Sequence, residues 1–184
     1  MPSTPRWPTS SRVSNGRTVT SILFLCTGNA ARSVMAGVAL EQRRPDLEIE
    51  TAGTLTVDGM PISWRTRAAL DDVGLPWPHH ASRQAEQAHV EEADLVVALA
   101  PEHVNWVRRE HPTVADRTAT LIRLVDMLAN SSSPLGERLD ALGLADVELG
   151  SWEDVVDPGG GEVEQFIECA HQIVRLIERL ADRL

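Results

Sequence analysis

Cys26 opens the run C-T-G-N-A-A-R-S, in which five residues separate the thiol from Arg32 and Ser33 follows directly. Five residues are enough to curl the backbone so that successive N–H groups converge on one tetrahedral anion, and Gly28 and Asn29 tolerate the left-handed torsions that such a curl requires. A guanidinium offers a planar fork that fits two phosphoryl oxygens, where a lysine would supply only a point charge. The field that draws in an anion also stabilises negative charge on sulfur, and the Ser33 hydroxyl is placed to donate to it. The candidate chemistry is nucleophilic attack by Cys26 on a phosphoryl group clamped by Arg32. The candidate phosphate-binding residues are Thr27, Gly28, Asn29, Ala30, Ala31, Arg32 and Ser33. The competing reading makes Cys26 a small buried hydrophobe and Arg32 a surface charge on a helix start. With two cysteines in the chain, Arg and then Ser or Thr at this spacing arises by chance at odds of roughly one in fifty, which favours the site.

The elements around this run put it where an anion belongs. Val19 to Cys26 is apolar and β-branched at strand length, Thr27-Gly28-Asn29 is a turn signal, and Ser33 to Arg44 reads as a helix that ends before Pro45. Further strands are expected at Leu47–Thr51, Asp94–Leu99 and Ala119–Leu124, and helices at Trp64–Val73 and from Pro101 to about Glu110. From Val163 to Leu184 apolar residues recur at helical spacing. Alternating strands and helices imply an α/β fold, a three-layer doubly wound domain around a central four-stranded parallel sheet, in which ligands bind beyond the carboxyl ends of the strands. Residues 1–17 read as a disordered lead-in, 18–184 as one domain, and 130–150 as a loop insertion with at most one short helical piece.

Bulk composition bounds the partners. The net charge of -10 disfavours broad nucleic-acid or anionic-membrane surfaces. No apolar run reaches the roughly 18 residues of a membrane span, and the start has no secretory pattern, so a cytoplasmic location is expected. Two distant cysteines make no disulfide framework, and Cys169 sits on the flank of an apolar stripe as a packing residue.

The run F-L-C-T-G-N-A-A-R-S-V-M-A resembles the phosphate-binding loop of the low-molecular-weight protein-tyrosine-phosphatase family and its arsenate-reductase relatives. Thr51-Ala-Gly-Thr54, His80-Ala-Ser-Arg-Gln84, Asp94-Leu-Val-Val-Ala98 and Asp157-Pro158 resemble further family segments in matching order. The resemblance implies a phosphatase that acts on phosphotyrosine or another phosphomonoester through a cysteinyl-phosphate, with no metal or cofactor. Its partners would be a phosphorylated protein or a small phosphomonoester, with no nucleic acid and no membrane. It implies Asp157 as general acid, with Asp154 as competitor; on spacing alone Asp157 is a turn residue. It also implies a loop-supporting network of Asn29, Ser33, Thr51 and His80, while His79, His89, His103, His111 and His171 are read as ordinary histidines. Relatives that take phosphotyrosine wall the site with aromatics, whereas this chain has no tyrosine and three glycines after Pro158. Ala30 fills a loop position usually bulkier, Val57 lies near another wall position, and Trp64 is read as core or staple. Ala31 replaces a second loop cysteine. Two alternatives stay open: a thiol-coupled arsenate reductase and a non-catalytic phosphate-binding module.

Overall fold

The computed structural model describes residues 13, 14 and 17–184. Two short antiparallel strands, β1 (Val13–Ser14) and β2 (Arg17–Thr18), pair with one another, and all but Thr18 fall within the expected lead-in. The remainder of residues 1–17 lies outside the described residues.

The main sheet has four parallel strands in the order β4 (Glu48–Gly53), β3 (Ser21–Cys26), β5 (Leu95–Ala98), β6 (Thr118–Thr120). Strand β3 is central, and its period-two alternation divides two cores. Ile22, Phe24 and Cys26 face a large cluster, and Leu23 and Leu25 face a smaller one. The large cluster takes residues from α1 (Arg32–Arg43), α2 (Trp64–Asp72), α5 (Leu121–Met127) and α7 (Val163–Ala181). The smaller one takes Val90 of α3 (Gln87–Glu92) and Val107 of α4 (Pro101–Glu110). Helices on both faces of a parallel sheet make the three-layer α/β arrangement.

The closing helix α7 packs against α1, α2 and α5. Its Ile173, Ile177 and Leu180 are completely buried, and each such side chain contributes roughly 1.5–3 kcal/mol of apolar burial. Cys169 is buried in the same cluster, and burial pushes its thiol up to about 12.

Three elements differ from expectation. The fourth strand stops at Thr120, because the Thr120 hydroxyl accepts the Arg123 N–H and caps α5, so Leu121–Leu124 is helix rather than strand. Helix α3 was not anticipated; its apolar content is small, and its start is fixed by a reciprocal Glu86–His89 cap. Within 130–150, α6 (Leu135–Asp140) forms, and Leu139 and Leu144 enter the main core, so the segment is packed rather than merely looped out.

Candidate active site

Strand β3 ends at Cys26 and α1 begins at Arg32, so the intervening loop lies at the carboxyl edge of the sheet. The loop's carbonyls are held from outside. Cys26 O accepts Thr54 N–H at 2.9 Å and Thr27 O accepts Leu55 N–H at 3.0 Å. Asn29 O takes His80 Nε2 at 2.6 Å, and Ala30 O takes the Thr66 hydroxyl at 3.0 Å. Ala31 O takes Met35 N–H at 2.9 Å. In a trans peptide the following N–H points opposite to its carbonyl, and the chain has no cis bonds among the described residues. The N–H groups of Thr27, Gly28, Ala30, Ala31 and Arg32 are therefore turned to the side away from these partners. Ala31 caps α1 without a side-chain acceptor, and the first turn carries no acid, which leaves the helix's partial positive end to the loop. Of the two residues expected to be left-handed, only Asn29 is, with φ 48°.

Cys26 is 3% exposed, and its sulfur lies 3.0 Å from Ser33 Oγ. Hydrogen positions follow from the neighbours. Arg83 N–H donates to Asn29 Oδ1 at 3.1 Å, which turns Asn29 Nδ2 toward Ser33 Oγ, also at 3.1 Å. Ser33, receiving that donor, has its own proton free for the sulfur. His80 must carry its proton on Nε2 to meet Asn29 O. Burial lowers its proton affinity, with Arg83 acting the same way against the Asn29 carbonyl.

Thr51 does not do what the resemblance implied. Its methyl packs toward Gly37 of α1, and its carbonyl accepts Arg83 Nε at 2.8 Å; among the described residues no hydrogen bond joins its hydroxyl to the loop. The support comes instead from Arg83, which also pairs with Glu50 at 2.7 Å. Gly53, the last residue of β4, was likewise missed as a support. A Cβ there would stand 2.5 Å from Thr27 O and 3.0 Å from Asn29 N, so only glycine lets strand and loop approach this closely.

Arg32, 2% exposed, reaches the loop that carries the proposed acid. Its Nη1 donates to Val155 O at 3.0 Å and its Nη2 to Asp157 Oδ2 at 2.7 Å, while Asp154 stands at 3.8 Å. Guanidinium and carboxylate are thus brought together across the site. Asp157 Oδ1 is steadied by Gly159 N–H at 2.9 Å. Burial, with the neighbouring Glu102 and Asp157 and against Arg32, raises the Asp154 carboxyl above its usual range.

His103, read from sequence as an ordinary histidine, is 1% exposed on the first turn of α4, with Nε2 at 3.0 Å from the Thr27 hydroxyl. The available signal was its place just after the third strand, at the sheet edge where ligands bind. Burial, and secondarily Arg32, lowers it from 6.5 to about 4, against the pull of Glu102 and Asp157. The neutral ring is favoured by folding, so the associated stability is fully present above pH 6.5 and is lost as pH falls toward 4. The expected loss is up to about 3 kcal/mol. Denaturant unfolding of wild type and His103→Gln between pH 7 and 4 checks this: the variant's curve should fall less steeply.

Several large apolar side chains on the segments that follow or bond to the loop are exposed. Leu55, bonded through its N–H to the loop, is 78% exposed, and Val57, Val156 and Trp64 are exposed too. Trp64, expected as core or staple, is 57% exposed at the start of α2, with Arg65 stacked 5.0 Å from its ring.

The chain matches the low molecular weight phosphotyrosine protein phosphatase family over residues 21–134. A protein-arginine-phosphatase of Geobacillus stearothermophilus is 29% identical over 164 residues, covering 89% of this chain and 95% of that one. A low molecular weight protein-tyrosine-phosphatase of Streptomyces coelicolor is 34% identical over 159 residues, covering 83% and 85%. Among solved structures, the YwlE arginine phosphatase from Geobacillus stearothermophilus gives a TM-score of 0.70 at 28% identity, covering 88% of this chain and 90% of that one. The low molecular weight protein tyrosine phosphatase from T. tengcongensis gives 0.72 at 26%, covering 90% and 99%.

Proposed function

We propose a function for this chain, which belongs to the low molecular weight phosphotyrosine protein phosphatase family: it hydrolyses phosphorylated protein side chains through a cysteinyl-phosphate on Cys26. The observation that supports this reading is the anchoring of the loop carbonyls of Cys26, Thr27, Asn29, Ala30 and Ala31, which turns the following amides away from those partners. Amides fixed in this way stabilise an anion without reorganising during the reaction.

In the first step the Cys26 sulfur attacks phosphorus while Arg32 moves its fork from Asp157 to the phosphoryl oxygens. The Asp157 carboxyl, carrying a proton from solvent, delivers it to the departing oxygen or nitrogen. Water then attacks phosphorus with Asp157 as base, and the thiolate is regenerated. Phosphotyrosine is one substrate class. Phosphoarginine is the second, favoured by the exposed aliphatic Leu55, Val57 and Val156 where aromatics would otherwise wall the site and by the similarity to a protein-arginine-phosphatase along most of both chains.

The test is a leaving-group series. Wild type should hydrolyse aryl phosphates, and Asp157→Asn should lower kcat by about a hundredfold for a phenol that leaves poorly. For a nitrophenol, which leaves without a proton, the loss should shrink to about tenfold or less. Equal losses across the series, or the same pattern in Asp154→Asn with Asp157→Asn unaffected, would remove Asp157 from the acid's role. A phosphoarginine peptide assayed beside a phosphotyrosine peptide decides between the two substrate classes.

A further inference from the structure

We propose that His103 is a positioning residue for the phosphate loop: in its Nε2–H tautomer it donates to the Thr27 hydroxyl, leaving the hydroxyl's own proton for the anion that the loop holds. This rests on the reading of residues 26–33 as a phosphate cup and adds a residue to it.

The argument begins with the ring's second nitrogen. Nδ1 of His103 is buried without a hydrogen-bond partner among the described residues. If Nε2 accepted from Thr27, the proton would sit on Nδ1 as a buried orphan donor, which is costly. If Nε2 donates, Nδ1 is a bare lone pair, which is less costly to bury unpaired than an N–H. The charges that act on the ring are Arg32 from α1 and, opposed to it, Glu102 on its own helix and Asp157 on the loop that carries it. Burial holds the ring neutral at working pH, so the polarity of the Thr27 contact does not change there.

Thr27 is then fixed at both ends. Its carbonyl accepts Leu55 N–H at 3.0 Å and the Thr56 hydroxyl at 3.1 Å, and its hydroxyl oxygen accepts from His103 at 3.0 Å. With His103 donating, the hydroxyl proton of this half-buried residue finds no acceptor among the described residues and is a donor in reserve beside Cys26. Held by the ring, it needs no reorientation when an anion arrives.

The test measures binding of inorganic phosphate by calorimetry. His103→Leu and Thr27→Val should each weaken it about tenfold, His103→Gln should hold it within about threefold, and the His103→Leu/Thr27→Val double variant should lose about tenfold, not a hundredfold. Nitrogen-15 NMR of the wild-type ring at pH 6 should show a neutral imidazole protonated on Nε2. His103→Leu binding phosphate as wild type does, multiplicative losses in the double variant, or an Nδ1–H ring would each overturn the proposal. Should His103→Leu fail to fold, Thr27→Val and the NMR tautomer still decide. Wild-type protein that binds phosphate but does not hydrolyse aryl phosphates would sink the phosphatase reading alone, with the His103 contact still measured by binding.

Discussion

Cys26→Ser is expected to abolish hydrolysis, by about 10⁴-fold or more in kcat, while inorganic phosphate still binds within about threefold of wild type. The split follows from what the sulfur does and what it does not do. In the proposed function phosphate would be held by backbone amides whose direction is set by the hydrogen-bond partners of the loop carbonyls, and the sulfur is not among those partners. Serine is slightly smaller and keeps an acceptor for the Ser33 proton, so the hydrogen bond that ends the Arg83–Asn29–Ser33 chain survives. What disappears is a polarisable sulfur nucleophile; an alkoxide in its place is out of reach without a strong base. No other thiol can substitute, because Cys169 is buried in the core and burial pushes it up to about 12. Single-turnover assays should show no phosphoenzyme burst. Residual turnover within a hundredfold of wild type would mean that water attacks phosphorus directly and that the covalent scheme is wrong.

How much of this site could be read from sequence depends on whether a role lives in a side chain near the loop or in a distant approach. Cys26, Arg32 and Ser33 lie within one short run, so the chemistry expected of them rests on type and spacing, and the strand before and helix after were legible from periodicity. The sheet's α/β arrangement followed from alternating elements, and the family profile agrees with it. Thr120 was misread because a threonine at the end of a strand and one at a helix cap look alike in sequence; which it becomes depends on Arg123 N–H and on Glu153, 33 residues away. His103 and Gly53 were missed for a related reason. One is a histidine on a polar-looking helix start whose burial comes only from packing beside the loop, and the other is a glycine whose necessity lies in a backbone 2.5 Å from where its Cβ would be. Thr51 errs in the other direction: its position on the second strand is right for a support, but among the described residues its hydroxyl makes no hydrogen bond to the loop and Arg83 provides the tie.

Glu153→Ala is expected to destabilise the protein by about 3–5 kcal/mol and to lower activity with it. Glu153 is fully buried, and it gathers four donors from three segments. Arg123 Nε reaches Oε2 at 2.8 Å and Arg123 Nη2 reaches Oε1 at 2.5 Å; the Thr120 hydroxyl donates at 2.7 Å and Gly150 N–H at 2.8 Å. Burial alone would raise the Glu153 carboxyl, but these hydrogen bonds and the Arg123 charge outweigh it and hold the group below its ordinary range. Removing the carboxylate leaves the Arg123 guanidinium, 5% exposed, without its counter-charge, and its remaining tie to Glu148 O at 2.9 Å does not neutralise it. The Trp152 ring, 5.5 Å from that guanidinium, caps the pair on the outside and limits the water that could replace Glu153. The functional consequence comes through the chain itself. Glu153 anchors the segment that runs on to Val155, whose N–H bonds Leu99 O at 2.9 Å, and to Asp157, so loosening it frees the acid and the carbonyl that Arg32 holds. Denaturant unfolding measures the first effect, and the leaving-group series the second. The joint replacement Glu153→Leu with Arg123→Met, which removes both charges, should recover a large part of the stability. A loss below about 1 kcal/mol in Glu153→Ala, or a double variant less stable than the single one, would show that this buried pair does not hold the acid loop in place.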